Sequence, residues 1–463
     1  MISFWEVMDR AYNTGSLTRQ KNFDISLFKK VNELKEKFGI RFDPQTPVTS
    51  DDDLVDRVFQ AGVELFLSIG VYNISSERVI RFRKEEVEEA LSETYKTPDE
   101  ISIGEGTEQR ILRKRKVSDS APPLTIGGFI EDNPNEGNDF IQMYKSLAQE
   151  KIVDGMYFGP SPRTSQGRKY SFNTPPEIRA ARQAVTYVRE ASRSVGRPGL
   201  HLLDASFTPL GTCITFDRDN GLRRSDALSI PSISELKVSN DLLNRAAISM
   251  EYGCLRNPFW TVIVGGFSGS VEGAVITSVA SALNAIMVFQ VHGSGYIMSS
   301  TILSDPPVTS DRRTYWVRNL SLQALARNTN LICGGGGSLA AGPGTEQQLW
   351  EIAGLAAIIS VAGGHIMHGA RKSKLIKPNQ GTGLESRWMA EVARATGHMK
   401  REEVNELVNY ILGKFEDSIS PDTAPEGFSF EELYTMETCE VRAEYSEKYN
   451  SVKRDLESWG LRF

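Results

Sequence analysis

The sequence predicts a (β/α)8 barrel, a TIM barrel, carried between helical extensions, and three observations lead there. After Pro122 and Pro123 the chain turns to short apolar runs separated by stretches long enough to hold a helix, the texture of βα units around a parallel sheet. The runs begin near Leu124, Ile152, Leu200, Ile233, Val262, Ala285, Leu331 and His365, and eight of them over about 250 residues match one such barrel. On both sides of that span the periodicity is helical. The expected division is an N-terminal helical extension over residues 1–120, the barrel core over 121–380 and C-terminal helices over 381–463. A doubly wound sheet shares the alternation, because periodicity does not measure closure.

In the first part, Leu27, Val31, Leu34 and Phe38 recur at helical spacing and Gly39 follows where a C-terminal cap is wanted. Ser50, three residues before Asp53, opens a second helix whose face is Leu54, Val58, Ala61 and Leu65, with acids at its positive end. Arg113 to Lys116 is a basic tetrapeptide without interleaved aromatics and reads as solvated surface. Beyond Gly381 helices are expected over Leu384 to Thr396, Arg401 to Phe415 and around Tyr445 to Trp459. Two uncharged stretches, Gly273 to Ser304 and Ile352 to Ala370, have the length of membrane spans. Both are interrupted by polar residues or Gly, so buried helix–strand pairs explain them better.

Composition narrows the function. The 463 residues are 40% apolar and 24% charged, an ordinary globular balance. The 53 basic residues are outnumbered by 59 acidic ones, so the overall basic field that would attract nucleic acid or anionic lipid is absent. Cys213, Cys254, Cys333 and Cys439 have no paired short spacing, which argues against a disulfide framework or a zinc knuckle and for a reducing compartment. Met1 to Glu6 has no basic segment leading into an apolar core, so a cytoplasmic location is expected.

Reactive groups of such barrels hang from the carboxyl ends of the strands, so the polar residues after each run are the candidates. They are His201 and Asp204 after the third run, Glu235 and Lys237 after the fourth, Gly265, Gly266, Ser268 and Glu272 after the fifth, and His292 after the sixth. Gly334 to Gly337 and Ser338 end the seventh, and the eighth carries His365 and His368. The four glycines lack the Lys that a phosphate-binding loop requires, which favours a tight turn or a close backbone approach. His365 and His368 would share a metal only on a helix; on a strand the same spacing points them oppositely, so no metal is expected. A lone histidine among apolar neighbours, as His201 is, is ordinarily a hydrogen-bonded core residue.

At Gly196-Arg197-Pro198-Gly199-Leu200 the chain resembles the monomethylamine:corrinoid protein methyltransferases of methanogens. Further similar blocks are Gly127-Gly128, Val264 to Phe267 with Glu272, Ala341 to Glu346, Gly383 to Glu385, Ala393 to Thr396 and the closing Gly460 to Phe463. They run in order along nearly the whole chain. The resemblance implies a barrel, a homo-oligomer, a hexamer in particular, and methyl transfer to the cobalt(I) of a corrinoid (cobalamin) carried by a separate protein, with no tightly bound cofactor of the chain's own. It also implies that the family's reactive pyrrolysine falls on His201, a nearby acid on Phe259, and a glutamine and a tyrosine on Gly336 and Ser338. All four residues differ here.

A preserved scaffold with its reactive constellation replaced implies a changed methyl donor. Methyl transfer is displacement at carbon, and a quaternary ammonium or other onium donor already leaves as a neutral molecule. Such a donor needs a shaped pocket with π faces around the cation. Phe259, Trp260 and Phe267 could supply these, with Glu235 or Glu272 balancing charge and Asp204, His292, Ser338 and His368 lining the pocket. For a secondary or tertiary methylamine, His201 would instead serve the nitrogen directly as the C–N bond breaks. The expectation is therefore a pyrrolysine-free methyltransferase with His201 and Glu272 as catalytic groups. The alternative is a relative that binds a metabolite or a corrinoid protein without turnover.

Overall fold

The computed structural model describes all residues except 1, 97–99, 129–136, 160–169, 206–207, 217–219, 375–376 and 421–422. Eight parallel strands close a barrel in chain order: β1 Leu124–Gly127, β2 Gly155–Phe158, β3 His201–Asp204, β4 Ala227–Pro231, β5 Leu255–Val264, β6 Ile297–Leu303, β7 Cys333–Leu339 and β8 Ile366–Lys372. Strand β8 pairs with β1 through Ile366 and Leu124, so the sheet has no edge and the doubly wound alternative is excluded. One helix follows each strand: α1 Asn138–Ala148, α2 Pro175–Ser194, α3 Pro209–Ile214, α4 Asn240–Tyr252, α5 Val271–Met287, α6 Arg312–Asn328, α7 Glu346–Val361 and α8 Gly383–Thr396.

Three strand positions differ from the sequence reading. Strand β4 ends at Pro231, before Ile233; Val262 lies near the end of β5; and Ala285 is inside α5. An apolar run does not distinguish a buried helix from a strand, and α5 is buried all round. Its outer face is covered by the N-terminal helix Asp52–Ile69, and that of α7 by α8 and the helix Arg401–Leu412. A second helical layer therefore accounts for both uncharged stretches, and no helix among the described residues is long and apolar enough to cross a membrane. Helix α8 packs between α7 and α1 and completes the ring, so the barrel extends past the boundary expected at residue 380.

The N-terminal part is not wholly helical. Val71–Asn73 and Arg78–Ile80 form a hairpin, and the first of these also pairs in parallel with Lys237–Val238, just after β4. A second hairpin, Glu100–Ile103 with Arg110–Arg113, packs Ile101, Ile103 and Leu112 into the barrel's axial cluster. That cluster also holds Ile126, Leu203, Ala227, Met298 and Ile366, and the hairpin's Gly104 N–H donates to Ser225 O, just before β4, so this end of the barrel is closed.

Candidate active site at the barrel mouth

Side chains alternate in and out along a strand, and β5 shows which of its faces looks down the axis. Trp260 points outward, where its Nε1 donates to Ser278 Oγ of α5 at 3.3 Å. Phe259, Thr261 and Ile263 therefore share the axial face; they are half-buried, whereas Asn257 below them is sealed. The axial face of β5 is thus more exposed toward its carboxyl end than at Asn257.

Three rings meet at that level. The Tyr157 ring of β2 stands edge-on to His368 of β8 with centroids 4.2 Å apart, and Phe259 lies nearly parallel to the same imidazole at 6.4 Å. Gly336 of β7 makes room for it: a Cβ there would lie 2.8 Å from His368 Nδ1. The glycine run forms most of β7 itself, so close backbone approach, not a turn, is what it serves. Burial pushes the His368 pKa down to about 3, with Arg371 and Arg318 adding to the effect, so the imidazole is neutral near pH 7. Leu203 of β3 pairs in register with Tyr157 and belongs to the axial cluster. A bulge sets His368 and Gly369 against Gly336 alone, which brings Arg371 opposite Ser338 at the rim.

His201 is not part of this constellation. It is the first residue of β3, at the closed amino end, and is fully buried. Its Nδ1 donates to the Ser225 carbonyl at 2.8 Å and its Nε2 accepts from the Tyr296 hydroxyl at 2.9 Å. Burial lowers its pKa, so it is the satisfied core histidine that its apolar neighbours suggested. The catalytic assignment is overturned by its position, and the axial residue of β3 nearest the rings is Leu203.

The remaining candidates separate in the same way. His292 precedes β6 and lies beside Arg256 toward the amino end, because the sixth strand starts later than expected. Glu272, in the first turn of α5, accepts the Phe42 N–H at 3.1 Å and ties the N-terminal segment to the barrel. Asp204 ends β3, alternating with the axial Leu203, and pairs with Arg245 of α4 at 3.3 Å; burial raises its pKa to about 6. Phe267 is exposed, and its ring already carries the Lys237 ammonium at 4.3 Å, itself bridged to Asp24 at 2.7 Å. Trp260 packs outside the wall.

Phe259, Ser338 and His368 remain at the mouth, and Glu235 stands beside it. Glu235 is buried in the turn after β4, accepts the Ile263 N–H at 3.1 Å, and has its pKa raised by burial, with Ser268 and Lys237 opposing. Sequence reasoning missed Tyr157, Thr261, Arg318 and Arg371. Alternation from Phe259 would have reached Thr261, but Arg318 sits on a helix, where no strand rule looks. Among the described residues no group of three or more His, Cys, Asp or Glu is placed to hold a metal.

Comparison with known proteins gives this mouth its setting. The family model for monomethylamine methyltransferase MtmB matches residues 2–461. The chain belongs to the monomethylamine methyltransferase family. Its relatives include monomethylamine methyltransferase MtmB2 of Methanosarcina acetivorans, 27% identical with 99% of this chain and 98% of that protein covered. MtmB of Methanosarcina mazei is 28% identical over the same shares. The crystal structure of Methanosarcina barkeri MtmB superposes with a TM-score of 0.93 at 26% identity, covering 99% of this chain and 98% of that one. A structure described as the hydroxylamine MtmB complex gives the same TM-score and identity. Methyl transfer is the chemistry of this family.

Proposed function

We propose that the chain moves a methyl group from a cationic methylated nitrogen, a small methylamine or a quaternary ammonium, to the cobalt(I) of a corrinoid carried by a separate protein, and that it does so without pyrrolysine. The observation that carries this reading is the trio Tyr157, Phe259 and His368 toward the carboxyl end of a monomethylamine methyltransferase barrel. Every residue of the sequence is one of the twenty standard ones, and Leu203, in register with Tyr157 and beside the rings, has no reactive group.

The chemistry asked of the protein is then modest. A methyl carbon on a cationic nitrogen is displaced with the C–N electron pair returning to nitrogen, so the departing amine is neutral and no acid has to act on it. The acceptor supplies the pair for the new bond to carbon. The chain's part is to hold the cation against aromatic faces, a contact worth about 0.5–2 kcal/mol for each ring, and to keep its own nucleophiles away from the methyl group. Neutral His368 offers its face without repelling the cation. Glu235 supplies negative charge at the β4–β5 side.

A homo-oligomer and a cytoplasmic setting belong to the same proposal; likeness to the family supports the first, and four unpaired thiols support the second. The test mixes purified protein, a reduced corrinoid protein and a panel of methylamines and quaternary ammonium donors. The spectral change from cobalt(I) to methyl-cobalt is followed. Methylation with at least one donor is expected. Donor binding without any spectral change across the panel would leave the chain a binding relative of the family.

A further inference from the structure

The N-terminal helix Gln20–Lys37 is apolar on two faces. One face buries Leu27, Val31 and Leu34, and the helix packs on Asp52–Ile69 and α5. Ile25 and Phe28 point elsewhere and stand 43% and 48% exposed. With Phe267, 47% exposed in the loop after β5, they line an open groove of about 680 Å3. Single exposed apolar side chains are ordinary, but three large ones around one groove mark a contact surface.

The groove is preformed. The loop after β5 closes on itself, the Gly265 N–H donating to Gly269 O at 2.8 Å and the Gly269 N–H to Gly266 O at 3.0 Å. A Cβ at Gly269 would lie 3.0 Å from Phe28 Cε2, so the Phe28 ring rests on this loop. The Phe267 ring is backed by the Lys237 ammonium at 4.3 Å. Rings held in this way lose little freedom on binding, as an interface anchor requires. The rim is positive: Lys21 and Lys29 are exposed, and no ion pair among the described residues includes either. Asp24, the acid in the lining, is already bridged to Lys237. An apolar groove with a basic rim is complementary to an acidic partner surface.

Position names the partner. Phe267 precedes Ser268, which acts on Glu235 beside the mouth. A protein that presents its cobalt to the mouth covers about 800 Å2 of this chain, a footprint about 30 Å across, and so rests on the loops around the strand ends. A second copy of the chain seated in the groove would crowd that approach. We propose that the groove of Ile25, Phe28 and Phe267 receives an apolar segment of the corrinoid protein, with Lys21 and Lys29 meeting carboxylates that flank it. This rests on the proposed methyl transfer and adds where the acceptor is held.

The experiment measures binding of the corrinoid protein of the same organism by calorimetry. In parallel it follows methyl transfer from the donor panel to two acceptors, that protein and free cob(I)alamin. Phe28→Ser and the double variant Lys21→Glu, Lys29→Glu should each weaken binding of the corrinoid protein about tenfold or more. Transfer to free cob(I)alamin should stay within about twofold of wild type, because a small acceptor does not use the groove. The loss in the lysine variant should shrink in about 0.5 M salt, and that in Phe28→Ser should persist. Wild-type affinity in both variants would overturn the docking site and leave the methyl transfer standing. Equal loss with both acceptors would also overturn it, since the fault would then lie in the donor site. So would self-association of the wild type that Phe28→Ser abolishes while corrinoid-protein binding persists, which assigns the groove to a second copy. Absence of transfer by the wild type with every donor would count against the methyl transfer; corrinoid-protein binding weakened by both variants would still support the groove, and binding that is absent or unchanged would overturn it.

Discussion

His201 and Tyr296 are joined by a hydrogen bond of 2.9 Å at the amino end of the barrel, Nε2 accepting from the phenol while Nδ1 donates to the Ser225 carbonyl. Replacing His201 by Ala leaves the fully buried Tyr296 hydroxyl without this acceptor and removes packed volume, whereas the Ser225 carbonyl keeps the Gly104 N–H. A buried polar group left unpaired costs about 1–3 kcal/mol and the lost side-chain volume adds a cavity term of about 1–2 kcal/mol, so His201→Ala is expected to lower unfolding free energy by about 2–5 kcal/mol. Molecules that remain folded should methylate the acceptor within about threefold of wild type, because the mouth lies at the other end. Denaturant unfolding and turnover per folded molecule check the two halves. A well-folded variant without turnover would return His201 to the mechanism.

Gly336 and His368 offer the opposite contrast, small stability cost and large activity cost. Gly336 sits in an extended strand without positive φ, so Ala adds no backbone strain and even restricts the unfolded chain. The added methyl would sit 2.8 Å from His368 Nδ1 and 2.9 Å from its Cβ, so the ring must shift. Gly336→Ala is expected to cost about 1–3 kcal/mol of stability and to lower kcat/KM at least tenfold, read by the same spectral assay. Unchanged kcat/KM would mean that His368 does not shape the donor site.

The extent to which fold and site were legible follows from which signals are local. Eight alternating runs were visible in the sequence, and the resemblance carried the barrel with them. Ala285 misled because α5 is covered on both faces and so loses the polar stripe that marks a surface helix. That error moved His292 to the wrong end. His201 misled differently: its apolar neighbours indicated a core residue, and counting from the Gly-Arg-Pro-Gly run overrode them. Phe259 and His368 were legible because strand alternation is short-range. The Arg371 orientation was not, since it depends on a bulge, and Arg318 reaches the wall only through a gap in a ladder.

Phe259 tests the cation reading through binding. Its half-buried ring faces the mouth, so replacement by Leu keeps apolar volume while removing the π face. Loss of one cation–π contact, about 0.5–2 kcal/mol, corresponds to a rise of about 2- to 30-fold in KM. Phe259→Leu should show that rise for cationic donors with kcat changed less than threefold. Equal KM values in the two proteins would show that Phe259 does not contact the cation.

His368 also gives the protein a pH signature whose sign follows from its shift. The folded state holds the imidazole at a pKa of about 3, whereas an unfolded chain protonates it near 6.5. Below about pH 6.5 the unfolded state alone gains the proton, so this group's contribution is complete above that pH and is lost as pH falls toward 3, at about 1.4 kcal/mol per unit. Asp204 and Glu351, raised by burial to about 6 and about 7, act in the opposite direction. They are common to wild type and His368→Gln, so comparing the two proteins cancels them. The unfolding free energy of wild type minus that of the variant should fall by about 2 kcal/mol between pH 7 and pH 5. A constant difference across that range would mean that the folded state admits the proton, which would place a second positive charge among Tyr157, Phe259 and the donor and remove the neutral face on which the cation is held.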